Sequence, residues 1–452
     1  MSRWSVDTRR RSCDNALMKR SSLWLLPFLL AVIVGGSFYF DRQAEKGDRE
    51  INVYVTGGER MAAGEEVYRR GLDKKPFTYP PFSAVPFVPF AKLPASWCAT
   101  AWFLVNFLIL VGVIRWLHSY ASSAGTGRSP PRLWLFWIIT AVFGGRHVVS
   151  VFTNQSHDLI IAGLLTLVAA SWCGHRQLRG AWAGLWAGLA AATKATPLIF
   201  LGLFVVRMHW VGIVSMLLVT IGATLLPDYL FPRADGVAWW QAWYDVNLSG
   251  LKFGGTAEAP GAWNAHSVLN QSVSGTVRRL CSPVDVPNGS FVVGDKGQTL
   301  FLNLSPDVIR LVTLSLSLVI LMLISACVLF ARRALQASGS RLAELQNTLG
   351  LGEVGAFACG MVLLSPQSSK AHFCVWLFPV AFVTNYLIRS RRDVIGILLF
   401  SVALVAGMLS KGLLGKPMAS LMLAYGSVAW STLFLLLATF RCLQTAAQSG
   451  RE

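Results

Sequence analysis

The sequence predicts an all-α protein that crosses a membrane many times. Hydrophobic residues make up 54% of the 452 residues and charged residues only 14%, which leaves too little polar surface to coat soluble domains of this size. The apolar residues form runs long enough to cross a bilayer as helices. We therefore expect a single transmembrane domain at 22–440, between a basic cytoplasmic tail at 1–21 and a short cytoplasmic tail at 441–452.

The net charge of +18 belongs mainly to the segments between the apolar runs. Most of the 40 Lys and Arg residues lie there, as expected of loops that flank a membrane. We therefore expect membrane lipids as partners and no nucleic acid. The eight cysteines include no Cys-x-x-Cys pair, so the sequence predicts neither a disulfide framework nor a zinc site.

About a dozen apolar runs are candidates for membrane-spanning helices. The first, at 22–40, follows a basic tail and has only a weak cleavage site, so we expect an uncleaved helix with its N-terminus in the cytoplasm. The other runs lie at 97–118, 133–150, 158–173, 181–193, 196–209, 211–230, 309–331, 350–365, 373–389, 393–410 and 417–440. The break at 194–197 divides one long apolar stretch into two short segments.

Basic residues are concentrated in every second loop. The short loops between these, which lie on the opposite side of the membrane, hold few cations, namely Arg146, Lys194, Lys370, Lys411 and Lys416. By the positive-inside rule, both termini then face the cytoplasm. The sequence therefore predicts a multi-pass protein of the cell (inner or plasma) membrane, with its site on the outer side.

Two loops are too long to be simple connectors, one at about 41–96 and one at about 232–307, and both fall on the outer face in this topology. Loops of this length are usually functional. The stretch from Tyr79 to Pro94 contains five prolines, including Pro94 itself. They argue against a straight span and favour a segment that lies along the outer interface or dips into it.

Polar groups at the outer helix ends are the candidate site. Glu50 or Asp48 could take a proton from an incoming hydroxyl group, and Lys194, at a proline-bounded helix end, could hold a phosphate leaving group. Each candidate also has a simpler interpretation. The two carboxylates fit an ordinary solvated loop of mixed charge, and Lys194 fits a lysine whose side chain extends to the membrane interface. Arg146 and His372 lie at outer helix ends too, and convergence on one face favours a site.

Six short motifs follow one another along the chain. The first consists of residues 50–54 with Gly64 and Tyr68 after them, and the second is the Tyr-Pro-Pro segment at 77–82. The other four are Asn154-Gln155, Lys194-Ala195-Thr196-Pro197, Asn270-Gln271-Ser272 with Gly275 and Arg279, and Ser365-Pro366 with Ser368 and His372. In this order they resemble the motifs of glycosyltransferase family 87, the polyprenol-phosphate-mannose-dependent mannosyltransferases of the GT-C superfamily, with the first motif in the family's first outer loop. The resemblance covers roughly residues 22–390.

The resemblance implies a GT-C-like bundle of about 12 transmembrane helices with two long outer loops. It implies inverting transfer of a hexose, with mannose expected, from a polyprenyl-phosphate-linked sugar donor to a lipid or glycan acceptor at the outer face, without a metal or other cofactor. The general base would be Glu50, at a position where the family has Asp, with Asp48 as the nearest aspartate. The resemblance implies donor-phosphate binding by Lys194, Arg279, His372 and Arg146, and substrate binding by Tyr54, Tyr79, Asn154, Gln155, Asn270 and Gln271.

Two other classes of function fit a protein with many spans. A transporter or lipid-linked sugar flippase usually has charged or glycine-broken helices near mid-membrane and two matching halves. Here the polar residues cluster at outer helix ends and the halves do not match, so we rank an enzyme before a transporter and a non-catalytic scaffold last.

The chain departs from the family near Ser365. Ser369, Lys370 and Ala371 replace the family's Trp, acidic residue and first His, so the sequence does not identify the sugar or the acceptor.

Overall fold

The computed structural model describes residues 30–45, 49–69, 75–123, 132–174, 178–250, 263–285, 291–337, 342–389 and 393–449. Every regular element within these ranges is a helix, which confirms the predicted all-α class. Asp48, the predicted tail at 1–21 and the start of the first apolar run lie outside the described residues. Most of the predicted tail at 441–452 is described, and it is helical as far as Ser449.

The helices are numbered in chain order. The described part of α1 covers residues 30–44. The later helices are α2 (Glu50–Ala62), α3 (Ala95–Ser123), α4 (Leu133–Asn154), α5 (Asp158–Cys173), α6 (Arg179–Thr193), α7 (Phe200–Val206), α8 (Trp210–Leu230), α9 (Trp239–Trp243), α10 (Val273–Cys281), α11 (Pro306–Ala337), α12 (Leu342–Leu364), α13 (Leu377–Arg389), α14 (Val394–Met408), α15 (Lys411–Ala424) and α16 (Ser427–Ser449). Short 3-10 helices occupy Pro81–Phe87, Phe90–Lys92, Thr196–Ile199 and His372–Trp376.

Within the described ranges, seven helices are long and apolar enough to cross a membrane. They are Ala95–Ser122, Leu133–Asn154, Trp210–Leu230, Pro306–Gln336, Gln346–Leu364, His372–Arg389 and Ser427–Gln448. The bent pair α14 and α15 raises the number to eight, and the apolar helix α5 is shorter. The prediction of a multi-pass membrane protein is confirmed, while the number of about 12 spans stays a prediction.

Helices α12 and α13 lie at the centre of the bundle, and nearly all of the side chains at 346–389 are buried or half-buried. They are packed against α4, α5, α11 and α16, so the long apolar faces of the outer helices remain for lipid. Helices α6 and α12 both end at the same end of the bundle, which we call the site end. The opposite end is where α5 and α7 finish.

The predicted break at 194–197 is confirmed. Helix α6 ends at Thr193, the backbone at Lys194 is extended (φ −151°), and α7 begins only at Phe200. Pro197 explains the break, because it has no N–H group to donate to the carbonyl oxygen of Thr193, and its ring would clash with that carbonyl group in an α-helix. The break places Lys194 at a helix end inside the bundle, where the residue as a whole is 8% exposed.

The predicted span at 417–440 is wrong, because two helices occupy this stretch. Helix α15 ends at Ala424 and α16 begins at Ser427. Between them Gly426 has φ +78°, a left-handed conformation that favours glycine. A Cβ atom on Gly426 would lie 2.4 Å from Cγ2 of Thr276, so a larger residue does not fit there. Helix α15 is bent by 94° from α14, which leaves α16 as the full-length span.

The proline-rich part of the first long loop does not form a straight span, as predicted. It forms the 3-10 helices Pro81–Phe87 and Phe90–Lys92, which are packed against α2. Gly58 on α2 permits this close approach, since a Cβ atom there would lie 2.6 Å from the carbonyl carbon of Phe87. The contact holds Tyr79, which precedes the first 3-10 helix, beside the beginning of α2.

Candidate active site

A small cleft lies at the site end, between the beginning of α5, the end of α6 and the segment after α12. Its apolar lining includes Ile161, Met361, Val362 and Val375. Its polar lining consists of Asp158, Lys194, Thr196, Ser365, Ser368 and His372. The cleft therefore combines an apolar floor with a cluster of hydrogen-bonding groups.

A buried ion pair forms the centre of the cleft. Nζ of Lys194 lies 2.6 Å from Oδ1 of Asp158, and the two side chains are only 10% and 6% exposed. Oδ2 of Asp158 accepts a hydrogen bond from the Ser156 hydroxyl group at 2.9 Å. Asp158 is also the first residue of α5, where the helix dipole stabilises a negative charge. Three separate interactions thus hold this carboxylate in place.

His372 faces the same carboxylate from the other side of the cleft. Its Nε2 atom lies 3.9 Å from Oδ1 of Asp158, and its Nδ1 atom accepts a hydrogen bond from the backbone N–H of Ser369 at 3.3 Å. Because Nδ1 is an acceptor, the proton of a neutral ring lies on Nε2. His372 therefore presents an N–H group to the cleft, next to the Lys194 ammonium group.

His157 connects the cleft to the first long loop. Its Nδ1 atom lies 2.6 Å from the hydroxyl oxygen of Tyr54, which also accepts the backbone N–H of His157 at 3.3 Å. Burial, followed by the charge of Lys194, lowers the pKa of His157 to about 3, so the ring is neutral at physiological pH. The Tyr79 ring packs edge-to-face against His157, with centroids 4.4 Å apart.

The rings of Tyr54, Tyr79 and His157 form an aromatic cluster. Glu50, the first residue of α2, lies at the end of this cluster that is away from the cleft. The Tyr79 hydroxyl group donates to its Oε2 atom at 3.2 Å, and Nζ of Lys75 lies 3.0 Å from its Oε1 atom. Burial and the nearby Glu50 charge raise the pKa of Tyr79 well above its usual value, so its hydroxyl group stays a donor. Glu50 is thereby connected through Tyr79, Tyr54 and His157 to the cleft.

The structure thus brings five of the predicted site residues into one connected region: Glu50, Tyr54, Tyr79, Lys194 and His372. Asn154 and Gln155 lie beside this region, in the turn between α4 and α5. Gln155 has φ 54° and donates to the carbonyl oxygen of Phe40 at 2.6 Å. Asn154 donates to the Ser150 hydroxyl oxygen at 3.3 Å. Their observed contacts stabilise the turn that precedes Asp158.

Arg279 lies outside the cleft, and its guanidinium group is occupied by other partners. It donates to the carbonyl oxygens of Ser267, Asn270, Leu423 and Ala424 and to the Thr276 hydroxyl oxygen. The structure therefore does not bring Arg279 to a donor phosphate in this cleft. Its contacts join α10 to the end of α15.

Asn270 and Gln271 support the segment that carries Ser368 and His372. The Asn270 side chain donates to the Pro366 carbonyl oxygen at 2.9 Å and accepts from the Ser368 N–H at 3.0 Å. The Gln271 N–H donates to the Ser368 carbonyl oxygen at 2.8 Å. Asn270 and Gln271 do not line the cleft themselves, but their contacts hold one of its walls in position.

Arg146 does not line the cleft either. Its Nη1 atom donates to the carbonyl oxygen of Gly407, at the end of α14. This contact places the guanidinium group on the α14 side of α4. The structure thus separates Arg146 from Lys194 and His372, with which the sequence had grouped it.

The sequence prediction missed Asp158 and His157 as members of the site. The sequence does contain one signal for them, which is a carboxylate next to a histidine and directly before an apolar run. Such a residue has an ordinary interpretation as an acidic residue in the first turn of a helix. Only its contact with Lys194, 36 positions away along the chain, distinguishes the two interpretations.

Comparison with known proteins gives consistent matches along most of the chain. The sequence profile of glycosyltransferase family 87 matches residues 77–366. The chain is 28% identical over 364 residues to a polyprenol-phosphate-mannose-dependent alpha-(1-2)-phosphatidylinositol mannoside mannosyltransferase of Mycolicibacterium smegmatis, covering 76% of this chain and 71% of that protein. A protein of the same description from Mycobacterium tuberculosis is 26% identical over 391 residues, covering 83% of this chain and 79% of its own length.

Among solved structures, ArnT from Cupriavidus metallidurans in the apo state is similar to the chain with a TM-score of 0.41. The sequence identity is 14%, and the alignment covers 96% of this chain and 78% of that one.

Proposed function

Because the chain belongs to glycosyltransferase family 87, we propose that it is a membrane mannosyltransferase with polyprenol-phosphate-mannose as its donor, as its relatives are named. The proposed acceptor is a lipid-linked glycan, and transfer takes place at the outer face of the cell membrane with inversion at the anomeric carbon. The observation that supports this best is the cleft in which Lys194 and His372 both face Asp158, connected through an aromatic cluster to Glu50.

Lys194 and His372 would hold the phosphate of the donor. An ammonium group has three N–H donors, and the bond to Asp158 uses one of them. Nε2 of His372 lies too far from Asp158, at 3.9 Å, for a hydrogen bond to occupy it. Both groups can therefore donate to phosphate oxygens while Asp158 keeps them in place. Donors fixed around a developing anion in a site that excludes water are an effective form of catalysis.

Glu50 would act as the general base on the acceptor. It takes the proton of the acceptor hydroxyl group, whose oxygen forms a bond to the anomeric carbon. The bond from that carbon to the donor's phosphate oxygen breaks, and polyprenyl phosphate leaves with the electron pair. The Glu50 side chain is 25% exposed, and donation from Tyr79 and Lys75 fixes its two oxygens. This geometry orients a base towards an incoming hydroxyl group.

The test is transfer of label from radiolabelled polyprenol-phosphate-mannose to membrane lipid or glycan by the purified full-length protein. Because a general base contributes roughly 100- to 10,000-fold, we expect Glu50→Gln to lose at least about 100-fold in rate. Glu50→Asp retains part of the activity, since the carboxylate survives. Glu59→Gln, an exposed carboxylate on the same helix, is the matched control and keeps full activity.

Two outcomes contradict this assignment. Full activity in Glu50→Gln combined with loss of activity in Asp48→Asn would move the role of base to Asp48. Full activity in both variants would refute a catalytic role for this loop. A protein that carries the lipid-linked sugar across the bilayer without forming a labelled product would be a flippase instead.

The outer-face orientation has a test of its own. Single cysteines in the 41–75 loop should react with a membrane-impermeant thiol reagent in intact cells, while cysteines in the 332–348 loop should be protected. The reverse pattern would place the cleft on the cytoplasmic side and contradict the proposed orientation.

A further inference from the structure

The second long loop contains a short helix with one buried face. Helix α9 continues as a π-helix at Tyr244–Leu248. Trp239, Trp243 and Asn247 recur at intervals of four residues and therefore share one face. Trp239 and Asn247 are buried, whereas Tyr244, on another face, is exposed. The helix thus presents one side to the protein, and π-helical turns are rare and often occur at functional sites.

The buried face lies against the first long loop. The Trp243 indole N–H donates to the carbonyl oxygen of Thr78 at 3.2 Å, and the hydroxyl group of the residue after Thr78 donates to Glu50. Val246 packs against the buried apolar cluster that the first long loop forms with the beginning of α3. Asn247, which follows Val246, is therefore held beside the loop that carries the proposed base.

The Asn247 side chain has no partner in the folded chain. The residue is 7% exposed, and both its Oδ1 and Nδ2 atoms are buried without a hydrogen-bond partner. Among the carboxamide side chains in the described ranges, Asn247 is the one in which both polar atoms are left in this way. Asn270, in the same loop, uses both of its atoms. Since an unpaired buried amide is costly, Asn247 points to a group that is not part of the chain.

The chemistry of the carboxamide identifies the kind of group that fits. Its oxygen accepts hydrogen bonds and its NH₂ group donates them, and the side chain carries no charge. A phosphate oxygen only accepts, so a phosphate group would leave Oδ1 of Asn247 without a donor. Two adjacent hydroxyl groups on a sugar ring satisfy both atoms, because a hydroxyl group donates and accepts.

The position of Asn247 decides between the two substrates. Lys194 and His372, the groups proposed to hold the donor phosphate, line the cleft. Glu50 lies at the end of the aromatic cluster that is away from the cleft, where the acceptor hydroxyl group would approach. Asn247 belongs to the helix that contacts the loop of Glu50 and does not line the cleft. A sugar bound by Asn247 is therefore the acceptor sugar.

We propose that Asn247 binds two adjacent hydroxyl groups of the acceptor sugar and thereby orients the hydroxyl group that Glu50 deprotonates. This inference rests on the proposed function and assigns a residue that determines its acceptor specificity. Asn247 takes no part in the transfer of the proton or of the sugar.

The experiment measures transfer by the full-length protein from polyprenol-phosphate-mannose to an alkyl mannoside. Asn247→Leu removes two neutral hydrogen bonds, so we expect the acceptor KM to rise about ten-fold while the donor KM stays within about two-fold. Monodeoxy analogues of the mannoside give the second measurement. At least one that still reacts should have a raised KM in the wild type and no further rise in Asn247→Leu, because the lost contact is the same.

A stability measurement separates this role from a structural one. Leucine has a similar size and no polar atoms, so Asn247→Leu removes an unpaired amide from a buried position. We expect its unfolding temperature in detergent to equal or exceed that of the wild type. Gln241→Leu changes an exposed carboxamide on the same helix. It is the matched control and leaves the KM values of both substrates unchanged.

Four results would overturn the proposal: an unchanged acceptor KM in Asn247→Leu, a rise in the donor KM as the main effect, equal losses for every analogue in both proteins, or a fall in the unfolding temperature. If the wild-type protein transfers no sugar at all, the proposed function fails, and direct binding of the alkyl mannoside still decides this site. The wild type should then bind it about ten-fold more tightly than Asn247→Leu, and equal or absent binding in both would contradict the assignment.

Discussion

Two buried ion pairs lie towards opposite ends of the bundle, and their surroundings differ. At the site end, Lys194 and Asp158 line a small cleft. Towards the opposite end, Arg207 donates to Oε1 of Glu353 at 2.7 Å, and the Trp172 indole N–H donates to Oε2 at 2.8 Å. The second pair does not line that cleft. The two buried pairs therefore differ in whether they line the candidate site.

The positions of the two carboxylates in their helices explain why only one pair suits a substrate. Asp158 begins α5, where unpaired backbone N–H groups and the helix dipole stabilise it independently of Lys194. Glu353 lies in the middle of α12 and is 0% exposed, where the backbone N–H groups are already bonded within the helix. Its charge depends on Arg207 and Trp172. Lys194 can thus be shared with a ligand at a smaller energetic cost than Arg207.

The largest expected effect on folding follows from this difference. Removal of one partner from a buried pair leaves an uncompensated charge and destabilises a protein by about 3–5 kcal/mol. We expect Glu353→Gln to lower the free energy of unfolding by that amount, while the remaining folded protein keeps its donor and acceptor KM values. Thermal unfolding in detergent, combined with steady-state kinetics, measures both quantities.

The double variant Glu353→Leu with Arg207→Leu is the control, because it removes both charges. It should recover much of the lost stability, since an apolar pair of similar volume is often as stable as a buried ion pair. A Glu353→Gln protein that unfolds normally but has lost its activity would show that the opposite end takes part in the reaction, and the contrast between the two ends would fail.

Local sequence signals predicted most of the fold, and they failed where distant residues determine the local structure. Helix boundaries near the Lys194–Pro197 break follow from the proline itself. The boundary between α15 and α16 does not follow from a local signal, because a single glycine such as Gly426 also occurs within helices. The contact of Gly426 with Thr276 requires glycine there, and that contact joins segments 150 positions apart.

The site was predicted in part for the same reason. The sequence predicted Lys194 and His372 as members of the candidate site, because a cation or histidine at a helix end is a visible signal. Arg279 was predicted only from the resemblance to the family, yet its donors are bonded mainly to backbone carbonyl oxygens, which no side-chain pattern shows. Asp158 was missed because an acidic residue at the start of a helix has an ordinary explanation.

Lys194→Gln tests the site end directly. Loss of a charge-assisted hydrogen bond to phosphate costs about 1.5–3 kcal/mol, so we expect kcat/KM for the donor to fall roughly 10- to 150-fold. The free energy of unfolding should fall less than in Glu353→Gln, because Ser156 and the α5 N-terminus still stabilise Asp158. Lys92→Gln, an exposed lysine of the first long loop, serves as the control.

Unchanged use of the donor in Lys194→Gln would make this pair as purely structural as the one at the opposite end. A loss of stability equal to that of Glu353→Gln would likewise remove the distinction drawn from the helix N-terminus.

Gly58→Ala asks whether the site end depends on the close contact between α2 and the proline-rich segment. The added methyl group would lie 2.6 Å from the carbonyl carbon of Phe87, and overpacking of this kind costs about 1–3 kcal/mol. We expect a lower unfolding temperature and reduced transfer, since Glu50 and Tyr79 lie on the two surfaces that separate. Gly112→Ala, a helical position with open space around it, should be neutral or slightly stabilising.

Tyr54→Phe should have the smallest effect, because it removes a single oxygen from the connection between Glu50 and the cleft. The phenyl ring keeps its packing against Phe87 and Trp102, so the change is confined to the contacts of the hydroxyl group with His157 and Tyr79. A net hydrogen bond contributes about 0.5–1.5 kcal/mol, and we expect the transfer rate to fall roughly 2- to 10-fold with donor binding retained. Tyr425→Phe, which removes a hydroxyl group near the surface, is the control. A loss as large as that of Glu50→Gln would instead mean that Tyr54 carries the proton, and the aromatic cluster would be part of the reaction rather than its support.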